Sequence, residues 1–132
     1  MRTEVVRSFR DLEVWQMSME LTVLVYRFTQ VFPREELFGL SAQLRRSAVS
    51  VPGNIAEGQG SASAGEFRHF LGIARGSTCE VQTQLELARA LSFGNSGLID
   101  EAEPLSNEVR KMLFGLLDSL KPNDDKKPRA MH

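Results

Sequence analysis

The stretch FPREELFGLSAQLRRSAVSVPGNIAEGQG, from Phe32 to Gly60, carries two rows of residues at helical spacing. The apolar row consists of Leu37, Leu40, Leu44, Ala48, Val51 and Ile55. The polar row consists of Gln43, Ser47, Ser50, Asn54 and Glu57. Steps of three and four residues keep each row on one side of a helix. The apolar row predicts a core face, and the short side chains of the polar row indicate a surface that meets another chain segment or another subunit.

A first helix precedes this stretch, from an N-cap at Asp11 to about Phe32, where Pro33 ends it. Phe9 is expected to dock against it as a hydrophobic staple. Its apolar residues form two adjacent rows, which are Val14, Met17, Leu21, Leu24, Phe28, Val31 and Leu12, Trp15, Met19, Val23, Tyr26. A helix that is apolar over such a wide arc needs cover on two sides.

The second helix begins near Arg34 and contains Pro52. Proline removes one backbone hydrogen bond, but the apolar row continues in phase beyond it, so the sequence predicts a kink at Pro52 and an end at Gly58 to Gly60. The third helix follows a capping box at Ser63 and runs to about Phe93.

The fourth helix spans roughly Leu98 to Leu120. Four amphipathic helices with short connections predict an all-α, antiparallel up-down-up-down four-helix bundle. The expected organisation is an N-terminal extension at 1–10, the bundle at 11–120 and a disordered C-terminal tail at 121–132.

Composition and charge exclude several classes of protein. The 132 residues are 42% hydrophobic and 25% charged, which is typical of a globular domain. A single cysteine, no apolar N-terminal segment and no membrane-length run predict a cytoplasmic protein without membrane partners. The net charge is −1, and residues 76–120 hold seven acidic and three basic residues, so the basic footprint of nucleic-acid binding is faint.

Several short motifs can be compared with a known family. They are Phe9-x-Asp11-Leu12-x-x-Trp15, Phe32-Pro33-x-x-Glu36, Phe38-Gly39-Leu40, Gln43-x-Arg45-Arg46, Ser50-Val51-Pro52, Asn54-Ile55-Ala56-Glu57-Gly58, Glu66-Phe67, Phe70-Leu71, Ala74, Gly76-Ser77, Glu80 and Gln84-Leu85. In these motifs, over about residues 9–120, the chain resembles the four-helix bundle proteins often encoded in intervening sequences of 23S ribosomal RNA genes.

The resemblance implies a bundle that assembles as a ring of five subunits. The family is also similar to the accessory protein of diversity-generating retroelements, a pentameric bundle that binds nucleic acid and a reverse transcriptase. The acidic fourth helix of this chain differs from that basic branch.

Arg45 and Arg46 are candidate phosphate contacts. The outlying cations are Arg34, Arg68 and Arg75. The alternative is an ion pair with Glu57 or Glu80 across a helix or subunit contact, which suits the planar guanidinium of arginine. The nearly balanced local charge favours the ion pair.

A buried polar network is predicted from Ser50, Asn54 and Glu57, joined by Glu80 and Thr83 of the third helix. Polar groups among apolar rows fix register more often than they catalyse. No partner acid, base or metal ligand accompanies these carboxylates, so the sequence predicts no catalytic residue and no cofactor.

One alternative is a metal-dependent bundle enzyme that uses Glu57, Glu66, His69 and Glu80. Glu66-x-x-His69 has the spacing of di-iron bundles, but such sites need two of these motifs, and the chain's other histidine is His132. An exposed His69 is therefore the preferred interpretation.

Cys79 is expected to be a small buried side chain, because no histidine lies near it in sequence. Gly72 and Gly76 weaken the third helix and predict a close neighbour there.

The favoured hypothesis is a non-enzymatic homo-oligomer, a pentamer by resemblance, whose partners are copies of itself and RNA or DNA. A protein-protein scaffold is a further alternative.

Overall fold

The computed structural model describes residues 7–122, which form four long helices joined by short turns. The helices are α1 (Glu13–Thr29), α2 (Leu40–Gln59), α3 (Ala64–Ala90) and α4 (Ser96–Ser119), with 3₁₀ turns at Phe9–Asp11 and Arg34–Glu36. Helix α1 packs on α2 and α4, and α3 packs on the same two helices. The predicted all-α, up-down-up-down bundle is confirmed. In the part of the chain described, no helix is both long and apolar enough to cross a membrane.

The predicted tail lies mostly outside the described residues, as does most of the predicted N-terminal extension. The N-cap of α1 is Leu12, which makes no side-chain cap hydrogen bond, so the prediction of Asp11 was wrong. Ser8 caps the preceding 3₁₀ turn, in which Asp11 is the last residue. The Asp11 carboxylate accepts the backbone N–H groups of Arg7 and Ser8 at 2.8 and 3.2 Å. Hydrogen bonds from Arg7 and then Ser8 hold the pKa of Asp11 below its ordinary value. The ring of Phe9 docks on Trp15, with centroids 5.2 Å apart.

Helix α1 ends at Thr29, three residues before the predicted end. Phe32 turns back into the core, and its ring meets that of Phe28 edge-on with centroids 4.9 Å apart. Val31 falls beyond the helix and is exposed, although the apolar row had placed it in the core. The apolar row of α1 mispredicted Val31 because helical spacing does not apply beyond the end of the helix.

Helix α2 begins at Leu40 rather than near Arg34. Gly39 has a non-helical backbone, which separates the 3₁₀ turn from the helix. The carboxylate of Glu36 accepts the N–H of Leu40 at 2.9 Å, so this residue caps α2 instead of lying in its first turn.

Pro52 lies inside α2 without ending it, and the predicted kink there stays a prediction. The connection from α2 to α3 closes tightly at Gly58, where an added Cβ would lie 2.8 Å from the ring of Phe67. Ser63 then caps α3 by accepting the N–H of Glu66 at 3.1 Å, as predicted. The capping box is not completed, because the carboxylate of Glu66 accepts the N–H of Ala62 at 3.1 Å rather than that of Ser63.

The core consists of two apolar clusters. One contains Leu21, Val25, Phe28, Phe32, Leu40, Leu44, Ala48, Val81, Leu85, Ala88, Ile99 and Ala102. The other contains Val14, Val51, Ile55, Leu71, Ala74, Val109 and Leu113. In sequence, Ser18, Thr78 and Ser106 fall between the two clusters on their helices, and all three are fully buried. Each hydroxyl donates to a carbonyl of its own helix, so this hydroxyl layer interrupts the core without leaving a donor unpaired.

Candidate functional surfaces

The polar row of α2 faces α3 of the same chain. The Oγ atoms of Ser50 and Ser77 lie 2.8 Å apart, and Ser47 donates to Oε1 of Glu80 at 3.4 Å. The Asn54 amide donates to the carbonyl and hydroxyl of Ser50 at 2.8 and 2.9 Å. We call these five residues the α2/α3 seam. The sequence left open whether the polar row meets another chain segment or another subunit. The centre of the row meets another segment of the same chain, which is α3.

The remaining residues of the expected network lie apart from the seam. Gln43 and Glu57, near the two ends of the row, are exposed. Thr83 donates to a carbonyl one turn earlier in α3 at 3.1 Å. Sequence reasoning missed Gln84, whose Oε1 is buried and has no hydrogen-bond partner among residues 7–122. It follows Glu80 by four residues, and that spacing is the signal that would have found it.

Arg45 is half-buried against α1. Its Nε donates to Oγ1 of Thr29 at 2.7 Å, and its guanidinium carbon lies 4.5 Å from the centroid of the Tyr26 ring. Within the described chain the ion pairs involve other residues, so Arg45 does not pair with Glu57 or Glu80 of its own chain. A pair across a subunit contact stays a prediction.

The other four arginines fall in three places. Arg34 and Arg46 are exposed, on the 3₁₀ turn and on α2. Arg68 and Arg75 line an open groove between α3 and α4. The arginines named from the sequence therefore do not form one patch within a single chain.

The α3/α4 groove has a volume of about 600 Å³ and lies at the C-terminal end of α4. The guanidinium carbon of Arg75 lies 5.7 Å from the centroid of the Phe114 ring, within cation–π range. Nε of Arg68 donates to the carbonyl of Leu117 at 3.4 Å. Lys121 closes the end of the groove. The sequence did not predict Phe114 here, since one aromatic residue on an amphipathic helix ordinarily belongs to the core.

At the other end of the same two helices, Arg89 donates to Asp100 and to Glu103, both at 3.0 Å. The hydrogen bond to Asp100 raises the pKa of Arg89, with a smaller contribution from Glu103. This arginine is engaged by two carboxylates, unlike Arg68 and Arg75 in the groove.

The outer face of α1 is apolar, and within residues 7–122 it is uncovered apart from Arg45, which lies over the Tyr26 ring. Met19, Val23 and Tyr26 are 39, 45 and 41% exposed, at helical spacing. An open groove of about 680 Å³ runs beside them between α1 and α4 and includes Leu24 and Leu105. The described part of the chain therefore does not provide the cover on two sides that was expected for α1.

A second uncovered apolar site lies on the turn before α2. Phe38 is 90% exposed, and its neighbour Leu37 is also exposed. A side chain of this size in open solvent favours association over an isolated subunit.

The residues of the metal-dependent alternative do not converge. Among the described residues, no group of three or more His, Cys, Asp and Glu side chains is placed to hold a metal ion. His69 is exposed, as expected, and packs edge-on with Phe70, their ring centroids 5.3 Å apart.

Two smaller predictions were wrong. Cys79 is exposed rather than buried, because it lies on the outer side of α3. Gly72 and Gly76 have no close neighbour among residues 7–122, since an added Cβ at either would meet nothing there within 4 Å.

Comparisons with known proteins agree with the fold. The family model described as 23S rRNA-intervening sequence protein matches residues 10–115. A crystal structure of a protein of unknown function from the S23 ribosomal protein family of Bacteroides thetaiotaomicron is similar, with a TM-score of 0.70 and 26% identity. The similarity covers 79% of this chain and 97% of that one. No curated protein sequence matches the chain.

Proposed function

The chain belongs to the 23S rRNA-intervening sequence protein family, and from that premise we propose that it is a non-enzymatic assembly protein whose copies close into a ring. Five is the number of subunits that the family resemblance implies. The observation that carries the proposal is the uncovered apolar surface at two separate places, the outer face of α1 and the Phe38 turn.

Two different surfaces suit a ring. A ring needs a head-to-tail interface, in which one patch of a subunit meets a different patch of the next. Phe38 supplies a projecting aromatic side chain, and the α1/α4 groove supplies a recess of about 680 Å³. Met19, Val23, Leu24 and Leu105 form its apolar part, and Gln16, Glu20, Arg27 and Glu101 form its polar part. In our proposal the Phe38 turn of each subunit packs into the α1/α4 groove of its neighbour.

Light scattering on purified protein tests the assembly. The wild type should have the mass of several chains, and Phe38→Glu or Val23→Glu should reduce it because each change places a charge in an apolar contact. Ile73→Glu is the matched control, since Ile73 is 40% exposed on α3 and belongs neither to the Phe38 turn nor to the lining of the α1/α4 groove. A wild-type mass equal to one chain would refute the proposal.

Mixing the two disrupted variants tests the head-to-tail arrangement. A Phe38→Glu subunit keeps its groove, and a Val23→Glu subunit keeps its aromatic turn. The mixture should therefore form one intact interface and give heterodimers, although each variant alone is monomeric. A mixture that stays monomeric would contradict this pairing of surfaces and leave the assembly itself standing.

As the use of the assembly, we propose a nucleic-acid or nucleoprotein accessory role. Its support is the set of arginines outside carboxylate pairs of the described chain, above all the exposed Arg46. A ring would repeat these cations around its axis and raise the local positive potential.

Fluorescence anisotropy with labelled structured RNA and DNA tests this role. Affinity should fall steeply with added salt, and Arg46→Ala should weaken binding to all sequences and reduce the salt slope by about 1. Absence of binding to any nucleic acid at low salt would refute the accessory role while leaving the assembly untouched.

A further inference from the structure

The α3/α4 groove combines cations with an open aromatic ring. Arg68 and Arg75 follow one another at helical spacing on α3, and Phe114 and Lys121 face them from α4 and its end. Among residues 7–122, Asp118 is the one carboxylate in this lining, and Lys121 pairs with it at 3.3 Å. The two arginines therefore give the groove a net positive charge.

The cations of the groove remain available to a ligand. Arg68 uses Nε for the Leu117 carbonyl, and among the described residues its terminal nitrogens make no hydrogen bond. The guanidinium carbon of Arg75 lies over the Phe114 ring, and among the described residues its N–H groups make no hydrogen bond. A guanidinium edge is well suited to hydrogen bonding with phosphate oxygens.

Phe114 offers a flat apolar surface. Phe114 is 57% exposed, although α4 has a buried face on which apolar residues pack. Gly72 belongs to the same lining, and an added Cβ there would meet nothing within 4 Å among the described residues, so the groove is open at this position. Unpaired nucleobases stack on such exposed rings between cations that contact the backbone.

We propose that the α3/α4 groove binds single-stranded nucleic acid, with one base stacked on Phe114 and the flanking phosphates held by Arg68 and Arg75. This inference rests on the proposed nucleic-acid role and specifies where and in which form the strand is bound. A duplex is disfavoured, because its base faces are already stacked on one another and cannot reach the ring.

The test compares a fluorescent oligothymidylate, an oligouridylate, a duplex hairpin and inorganic polyphosphate. Wild-type protein should bind both single strands more tightly than the hairpin. Phe114→Ala should weaken the single strands about tenfold or more, with Phe114→Trp restoring them, and should leave polyphosphate binding unchanged. Arg75→Gln should weaken all anionic probes. Comparing the affinities for oligothymidylate and oligouridylate shows whether the sugar contributes to binding.

Two further variants separate a binding role from a structural one. Gly72→Ala should raise helix stability yet weaken single-strand binding, because the methyl group enters the open groove. Arg89→Gln is the matched control on the same helix, and it should bind like wild type because that arginine is held by carboxylates.

Single-strand binding that is unchanged in Phe114→Ala and Arg75→Gln would overturn the groove assignment and leave the nucleic-acid role standing. No binding of any probe by wild type would overturn both. The mass from light scattering, measured on the same samples, reports the assembly independently.

Discussion

The hydroxyl oxygens of Ser50 and Ser77 lie 2.8 Å apart across the α2/α3 seam. Ser47 and Glu80 repeat the relationship one turn away, since three residues back along α2 correspond to three residues forward along α3. The α2/α3 seam therefore pairs two antiparallel helices in one register. Its polar contacts select this alignment, and the flanking apolar rows supply most of the stabilisation.

Replacing either hydroxyl should lower the free energy of unfolding by about 1 kcal/mol, because its partner loses a hydrogen bond. The double variant Ser50→Ala, Ser77→Ala should lose less than the two single losses together. Urea denaturation followed by circular dichroism, at one protein concentration, measures all four proteins. Strictly additive losses would show that the two hydroxyls do not interact.

Two buried threonines should respond in opposite ways to replacement by valine. Thr22 donates to Ser18 of its own helix and, at 3.1 Å, to the carbonyl of Ala48 on α2, so Thr22→Val should cost about 1 kcal/mol. Thr78 donates to Ala74 of its own helix alone, so Thr78→Val should be neutral or stabilising. Thermal unfolding of the matched pair checks the order, and equal losses would contradict it.

Two glycine replacements should also differ in sign. Gly58→Ala should destabilise the protein by about 1–3 kcal/mol, because its Cβ would lie 2.8 Å from the Phe67 ring and 3.0 Å from Cβ of Phe70. Gly76→Ala should stabilise by about 0.5–1 kcal/mol, since it meets nothing within 4 Å and favours the helix. Denaturant midpoints of the two variants measure these changes in stability. A Gly76→Ala variant less stable than wild type would indicate that a neighbouring subunit occupies that space.

The N-terminal turn should detach in acid. The folded-state pKa of Asp11 is depressed by backbone hydrogen bonds, so its stabilising contribution is present above the ordinary carboxylate pKa and is lost as the pH falls through the lower folded value. Fluorescence of Trp15, on which Phe9 docks, reports the change. Asp11→Asn should show the detached signal already at neutral pH. A variant with the wild-type signal at neutral pH would rule out this role for the carboxylate.

The sequence predicted the helices and their packing because periodic apolar rows persist over several turns, whereas ends depend on single residues. The start of α2 is an example. The apolar row continued through Gly39, but the helix begins after this glycine, where the Glu36 carboxylate accepts the N–H of Leu40. No periodicity shows which of two neighbouring glutamates reaches back to a backbone N–H.

The candidate surfaces were harder to predict, for a different reason. Charge averaged over residues 76–120 made the fourth helix look acidic. In the fold its carboxylates Asp100 and Glu103 are engaged by Arg89, while Phe114 lies at the opposite end beside cations of α3. A net charge counted along the chain could not show this separation, because it arises from the antiparallel pairing of two helices.

The paired hydroxyls also restrict how the length of this hairpin can vary. One residue inserted into α3 ahead of Ser77 would rotate everything before it by about 100° relative to the seam and turn the partner of Ser50 away. Growth of the hairpin by whole turns, made in α2 and α3 together, keeps the alignment. Insertions and deletions that survive among relatives should therefore fall in the loops or come in such matched sets.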